Sequence, residues 1–260
     1  MTDPVRLTYF LNGPWPDRAA ILADLDGCLI SGDTVLPDVP DLFARCGDRL
    51  WIVSNNSSDT AETLAVRLAR LGLDLPAERI VLAGEMTLRA IQVAKPGSRL
   101  ALFADPPLQA LAERLGLRRD LDRPQMVVLA RDRSLDFDDI ARIAALAHAG
   151  VPVTLANPDP SHPGADGTPQ PETGALWAAI SAISPRAVAT SLGKPAPDLP
   201  REALRRAGVT PGAAVFIGDT PETDGRAAAA AGIEFLRLER PGAAPALPPS
   251  TGRITGAVPC

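Results

Sequence analysis

The stretch Ala19-Ala20-Ile21-Leu22-Ala23-Asp24-Leu25-Asp26-Gly27 decides how this chain is read. An unbroken apolar run from Ala19 to Ala23 predicts a strand buried on both faces, as strands of a parallel sheet are. The run stops at Asp24, with a second acid two residues on and a glycine for the turn. Side chains alternate with period two, so Asp24 and Asp26 can share one side just beyond the strand's carboxyl end. The same pattern recurs along the chain. Leu50–Val53 ends at Ser54, and further apolar runs lie at 79–83, 99–103, 125–130, 151–156, 187–190 and 213–217. Helical stretches are predicted between them at 107–115, 138–149, 173–183, 200–207 and 223–231. Asp59-Thr60-Ala61-Glu62 has the spacing of a capping box, opening a helix to about Leu71 that Gly72 closes. Strand–helix alternation at this spacing predicts an α/β fold, a mostly parallel doubly wound sheet, whose ligands bind beyond the carboxyl ends of the strands.

Composition agrees with a globular protein of that class. The chain has 260 residues, 46% apolar and 22% charged, which suffices for one large domain or two small ones. A net charge of −5 gives no electrostatic support for a nucleic-acid or anionic-membrane partner. No apolar run approaches a membrane span, and the N-terminus, with Asp3, Pro4 and Arg6, does not read as a signal peptide. Cys28, Cys46 and Cys260 form neither a disulfide framework nor a zinc pattern. A cytoplasmic enzyme is the expectation. The 20 residues from Pro241 to Cys260, rich in Pro, Gly and Ala, read as an irregular wrap or a loose end. Lysine occurs only at Lys95 and Lys194, against 24 arginines.

Four predicted strand ends carry polar groups. Asp24-x-Asp26-Gly27 offers one carboxylate to attack and another to handle a proton, although read alone it is equally an ordinary turn. Ser54-Asn55-Asn56-Ser57 leads into a helix start and offers a hydroxyl and backbone N–H groups to an anion; read alone it is N-capping. Gly193-Lys194-Pro195 holds an ammonium in a restricted loop, suited to a phosphate or to crowded carboxylates, or else simply solvated. Gly218-Asp219-Thr220-Pro221-Glu222-Thr223-Asp224 follows an apolar run. It places one acid where a hard cation would sit and a second that either supports it or caps the next helix.

Taken in order, D-x-D-G, S-N-N, G-K-P and G-D-x-x-x-x-D, these motifs resemble the haloacid dehalogenase-like (HAD) hydrolase superfamily. The details resemble its NagD-like branch, which carries an α/β cap between the second and third motifs. The resemblance spans residues 19–238 and includes Leu36-Pro37, Leu155-Ala156-Asn157-Pro158-Asp159 and Gly174-Ala175-Leu176. It implies a discontinuous core at residues 1–83 and 189–260 and an inserted cap domain at 84–188. It also implies Asp24 as nucleophile, Asp26 as general acid and base, and Lys194 as the charge between nucleophile and phosphate. The phosphate would rest on Ser54 and on the backbone N–H groups of Asn55 and Gly27. Mg2+ would bind Asp24, the main-chain carbonyl of Asp26, and Asp219, with Asp224 orienting Lys194 or the waters. Asn157, Asp159 and His162 become candidates for substrate contact from the cap.

The acid at Asp26 favours phosphate-ester hydrolysis over dehalogenation, because dehalogenating members lack it. The implied function is a Mg2+-dependent phosphatase of a small phosphorylated metabolite acting through an aspartyl-phosphate. Substrates in the family include nucleoside monophosphates, sugar and glycerol phosphates, phosphoglycolate and pyridoxal phosphate. A phosphotransferase or mutase using the same intermediate, and a non-catalytic binding module on this fold, are the alternatives. Relatives are often dimers through the cap, so a homodimer is a further expectation. A nicotinamide dehydrogenase and a P-loop enzyme are disfavoured, since neither G-x-G-x-x-G after the first strand nor G-x-x-x-x-G-K-[ST] occurs.

Overall fold

The structure is a computed structural model and describes residues 5–164, 168–239 and the backbone of 254–255. A short helix, α1 (Leu7–Asn12), leads to β1 (Ala20–Ala23) and a small hairpin of β2 (Ile30–Ser31) and β3 (Thr34–Val35). Next come α2 (Val39–Cys46), β4 (Leu50–Ser54), α3 (Ala61–Arg70) and β5 (Ile80–Leu82). The chain continues through α4 (Ala83–Ala94), β6 (Arg99–Phe103), α5 (Pro106–Arg114), β7 (Arg118–Arg119), β8 (Met126–Leu129), α6 (Phe137–His148) and β9 (Val153–Leu155). A hairpin of β10 (Ser161–Pro163) and β11 (Pro169–Pro171) precedes α7 (Thr173–Ile183) and β12 (Ala189–Ser191). The return runs through α8 (Asp198–Ala207), β13 (Ala214–Gly218), α9 (Arg226–Ala231) and β14 (Glu234–Arg237), and β15 (Ile254–Thr255) follows.

Two parallel sheets result. The first has the order β14-β13-β1-β4-β5, and the second β15-β12-β9-β8-β6-β7. In the first, β1 is central: Leu22 faces Phe216 on one side and Trp51 on the other. The chain builds outward from β1 to β5 and later returns to add β13 on the opposite flank, which creates a switch in strand order beside β1. Such a switch opens a crevice at the carboxyl ends of the neighbouring strands. Here those ends lead into Asp24, Ser54 and Asp219.

Burial explains why the strands read as continuous apolar runs. Ile21, Ala23, Ile52 and Val215 pack on one face of the first sheet with Leu42, Leu64 and Leu68. Leu22, Trp51, Val53 and Phe216 pack on the other with Leu199 and Ala203. The second sheet is covered likewise, by Leu88, Ile91, Leu108 and Leu111 on one face and Ile143, Trp177 and Ile180 on the other. With helices on both faces, alternate side chains along each strand all lose water. Each fully buried Leu or Ile contributes roughly 1.5–3 kcal/mol of transfer free energy.

Several expectations need correction. The run at 187–190 is predicted as a strand without a sheet assigned to it, at the expected boundary of cap and core at 188/189. Ala189, Thr190 and Ser191 pair with Val153, Thr154 and Leu155, so β12 extends the second sheet. A short apolar run carries no label for which parallel sheet it joins. Of the tail from Pro241, Ile254–Thr255 forms a strand beside β12; the rest, with Cys260, lies outside the described residues. The capping box sits one residue later than expected, between Thr60 and Thr63 rather than Asp59 and Glu62. The helix expected from Thr223 begins as a π turn over Pro221–Gly225 and becomes α only at Arg226. Helix α4 and strand β14 were not anticipated.

Candidate active site

The nucleophile candidate and the lone cation of the third motif meet. Lys194 Nζ lies 2.5 Å from Asp24 Oδ1 and 2.7 Å from Asp224 Oδ1. All three side chains are buried, and Lys194 is held in place by its backbone: its N–H donates to Asn55 Oδ1 at 2.7 Å, and its carbonyl accepts from Asn55 Nδ2 at 2.9 Å. Burial alone would push the ammonium down, but the Asp224 and Asp24 carboxylates outweigh it and hold its pKa up. Lys194 is therefore a fixed positive charge and not a solvated loop cation.

Asp219 follows β13 directly and accepts from Thr220 Oγ1 at 3.1 Å. One carboxylate oxygen from each of Asp24, Asp219 and Asp224 lies within 4.8 Å of the others. Asp224 already holds Lys194 through Oδ1 and the Thr220 N–H, at 3.2 Å, through Oδ2. Both Asp224 oxygens are thus engaged, whereas Lys194 contacts only Oδ1 of Asp24, so Asp24 and Asp219 are the better placed to take a cation, and the helix-capping alternative for Asp224 is replaced. Burial, then the Asp24 charge, raises Asp219 to about 6. Burial raises Asp224 as well, with Lys194 opposing. Hard oxygen donors crowded in this way, each destabilised by its neighbours' charge, fit a divalent cation such as Mg2+.

Asp26 is raised to about 6, first by burial and then by Asp24, while His162 and Arg67 act in the opposite direction. A carboxyl whose proton affinity is raised, beside one that attacks, matches the division of labour general acid catalysis requires. Gly27 adopts φ +79°, and a Cβ there would stand 2.6 Å from Asp219 Oδ2. Its place in the motif follows from that closeness. The expected phosphate contact through its N–H is not met, because that group donates to the Ile30 carbonyl at 2.8 Å. Ser54, the last residue of β4, accepts from the Asn56 N–H at 3.0 Å, which turns its hydroxyl oxygen into the start of the next loop.

The second sheet reaches the same place. Asn157, just beyond β9, donates to the Asn55 carbonyl at 2.8 Å and to Ser57 Oγ at 3.1 Å. Asp159 accepts from Asn55 Nδ2 at 2.8 Å, and burial raises it to about 7 despite that bond. Asn157 and Asp159 thus brace the loop that holds Lys194. His162 lies on β10 with its Nδ1 2.9 Å from Glu172 Oε1. Gly174 allows this approach, since a Cβ there would fall 2.1 Å from the Pro158 carbonyl. Glu172 is the residue sequence reasoning missed. It is buried and touches Asn157 and His162, yet in sequence an acid before Thr173-Gly174 reads only as a helix N-cap.

Known proteins resemble the chain in sequence and in fold. Residues 21–118 match the family model of haloacid dehalogenase-like hydrolases, and residues 191–240 match a HAD-hydrolase-like model. The chain is 34% identical over 221 residues to mouse chronophin, covering 78% of this chain and 75% of that protein. It is 32% identical over 230 residues to D-glycerol 3-phosphate phosphatase of Mycobacterium tuberculosis, covering 85% of this chain and spanning 63% of that relative's length. Among solved structures, NagD from Escherichia coli K-12 superposes with a TM-score of 0.74 at 26% identity, covering 84% of this chain and 86% of that one. The magnesium complex of the mycobacterial glycerol phosphate phosphatase superposes with a TM-score of 0.77 at 29% identity, covering 85% and 68%.

Proposed function

The chain belongs to the haloacid dehalogenase-like hydrolases, in their NagD-like branch, and from that membership we propose that it is a Mg2+-dependent phosphatase of small phosphorylated metabolites. The observation that carries the reading is the Lys194 ammonium between Asp24 and Asp224, with Asp219 beside them. A phosphate dianion must approach the Asp24 carboxylate, and two anions meet only where positive charge is already fixed. Lys194 supplies part of that charge. Asp24, Asp219 and the main-chain carbonyl of Asp26 would hold Mg2+, which when bound neutralises the phosphate oxygens.

In the proposed reaction, an Asp24 carboxylate oxygen bonds to phosphorus while the bond from phosphorus to the ester oxygen breaks, and Asp26 gives its proton to the departing alkoxide. Water then attacks the aspartyl-phosphate, Asp26 takes a proton from it, and inorganic phosphate leaves as Asp24 is restored. Ser54 and the Asn55 backbone are the proposed phosphate contacts. The six-stranded unit acts as a cap that limits the site to small esters. Relatives named for glycerol 3-phosphate, dihydroxyacetone phosphate and ribonucleotide monophosphates support that substrate class.

The test is phosphate release from a panel of phosphorylated metabolites with Mg2+. Asp24→Asn is expected to lower kcat by at least about 10³-fold with an unchanged circular dichroism spectrum. Turnover undiminished in that variant would discard Asp24 as the nucleophile.

A further inference from the structure

Ser57 is a buried residue whose hydroxyl the proposed reaction does not use. It lies in the loop after β4 that also carries Asn55, yet its bonds run to the second sheet. Its Oγ accepts from the Arg131 N–H at 3.1 Å and from Asn157 Nδ2 at 3.1 Å, and lies 3.4 Å from Thr173 Oγ1. Arg131 stands two residues beyond β8, Asn157 two beyond β9, and Thr173 opens α7. The two preceding residues are tied in the same direction. The Asn56 carbonyl accepts from the Gly84 N–H of α4 at 3.2 Å, and the Asn55 carbonyl accepts from Asn157 at 2.8 Å. Gly84 permits that closeness, since a Cβ there would stand 3.0 Å from Ser57 Cα.

A hydroxyl has one proton to give and two lone pairs to offer. The Arg131 N–H and the Asn157 amide can only donate, so they take both lone pairs, and the single proton is left for Thr173 Oγ1. Ser57 therefore has nothing left for a phosphate. N-capping does not account for it either, because Thr60 caps α3. A buried donor stripped of its acceptor is costlier than a bond never made, so loss of this one oxygen unsettles the ends of β8 and β9 together. The same loop holds the catalytic charge, since Asn55 grips the Lys194 backbone through both its amide nitrogen and its oxygen. The placement of the second sheet and the placement of Lys194 thus run through neighbouring residues of one loop.

Resting on the phosphatase reading, we infer that Ser57 is a positioning residue that pins the second sheet over the site, so that phosphate esters borne on macromolecules are kept out. The first readout needs no turnover. In Ser57→Ala, hydrogen exchange of the Arg131 amide, followed by NMR, is expected to speed up by about tenfold or more, while the amides of β1 and β4 stay as slow as in the wild-type protein. If that variant does not fold, Thr173→Val takes away the acceptor of the Ser57 proton, leaves both donors their oxygen, and should speed the same amide about threefold. Unmoved exchange at Arg131 overturns the inference, since nothing was pinned. Exchange that rises to the same degree in β1 and β4 overturns it as well, since that is a general loss of stability.

The second readout compares phenyl phosphate with a short peptide carrying phosphotyrosine, which present the same aryl ester and differ in bulk. With Mg2+, Ser57→Ala is expected to raise the ratio of kcat/KM for the peptide to that for phenyl phosphate about tenfold. Both activities lowered together with the ratio unmoved overturn the inference, because a structural role alone has that effect. If the wild-type protein releases phosphate from neither aryl ester nor any metabolite of the panel, while exchange at Arg131 responds as expected, the phosphatase reading fails and the pin between the sheets stands.

Discussion

Lys194 shows what one residue does here. In sequence it is a lone lysine in a loop; in the structure it is the hub on which two acids and the Asn55 side chain converge. Gly218 matters for the same hub. A Cβ there would lie 2.3 Å from Asp224 Oδ2, so Gly218→Ala must push Asp224 away from Lys194. The expected result is a fall in kcat of about tenfold or more, because small displacements of a catalytic charge are costly, with about 1–3 kcal/mol of lost stability from overpacking. Steady-state kinetics and a denaturant titration check both. An unaltered kcat would show that Asp224 does not need its present position. Asp24, Asp26, Lys194 and Asp219 are visible in the chain as strand-end acids and a loop lysine, each ambiguous alone, and it is the order of the four motifs that groups them. Glu172 could not, since its meaning depends on His162 and Asn157 lying against it.

At the scale of elements, helix α8 illustrates a structural use of charge. Glu202 accepts from Arg205 at 2.7 and 2.8 Å and from Arg206 at 2.8 Å, and these bonds, foremost that of Arg205, lower its pKa to about 2. A carboxyl depressed on folding adds stability above its unfolded value, near 4.5, and loses it as pH falls toward about 2. Glu202→Gln is therefore expected to destabilise at neutral pH by about 1 kcal/mol, the group being partly solvated. The difference from wild type should close below about pH 2 to 4, as followed by thermal melts across pH. A difference that persists in acid would assign the effect to packing. Helix α7 was predicted from Thr173 to Ile183, and its observed limits are the same, because its apolar pattern and its ends are written locally. Helix α4 was missed, because Ala83 continues the apolar run of β5 with no turn residue between strand and helix.

The whole molecule is two parallel sheets whose carboxyl ends meet over one cluster of acids. A cation bound there adds its binding free energy to folding, about 2.7 kcal/mol at a hundredfold excess over Kd. Mg2+ is expected to raise the thermal midpoint by several degrees, EDTA to reverse this, and Asp219→Asn to abolish it. A midpoint indifferent to Mg2+ would remove the cation from the site. The chain alone was enough to specify that its strands are buried and parallel, and the order in which the acids, Ser54 and Lys194 follow them. Those features arise from periodicity and from the chemistry of strand ends, which neighbouring residues fix. Folding had to settle which sheet Ala189–Ser191 joins, that Lys194 reaches an aspartate 170 residues away, that Asn157 grips a loop 102 residues earlier, and that Glu172 meets His162. Each of these is a contact between separately formed surfaces, and the hydrophobic packing that brings such surfaces together leaves no periodic trace in the residues it joins.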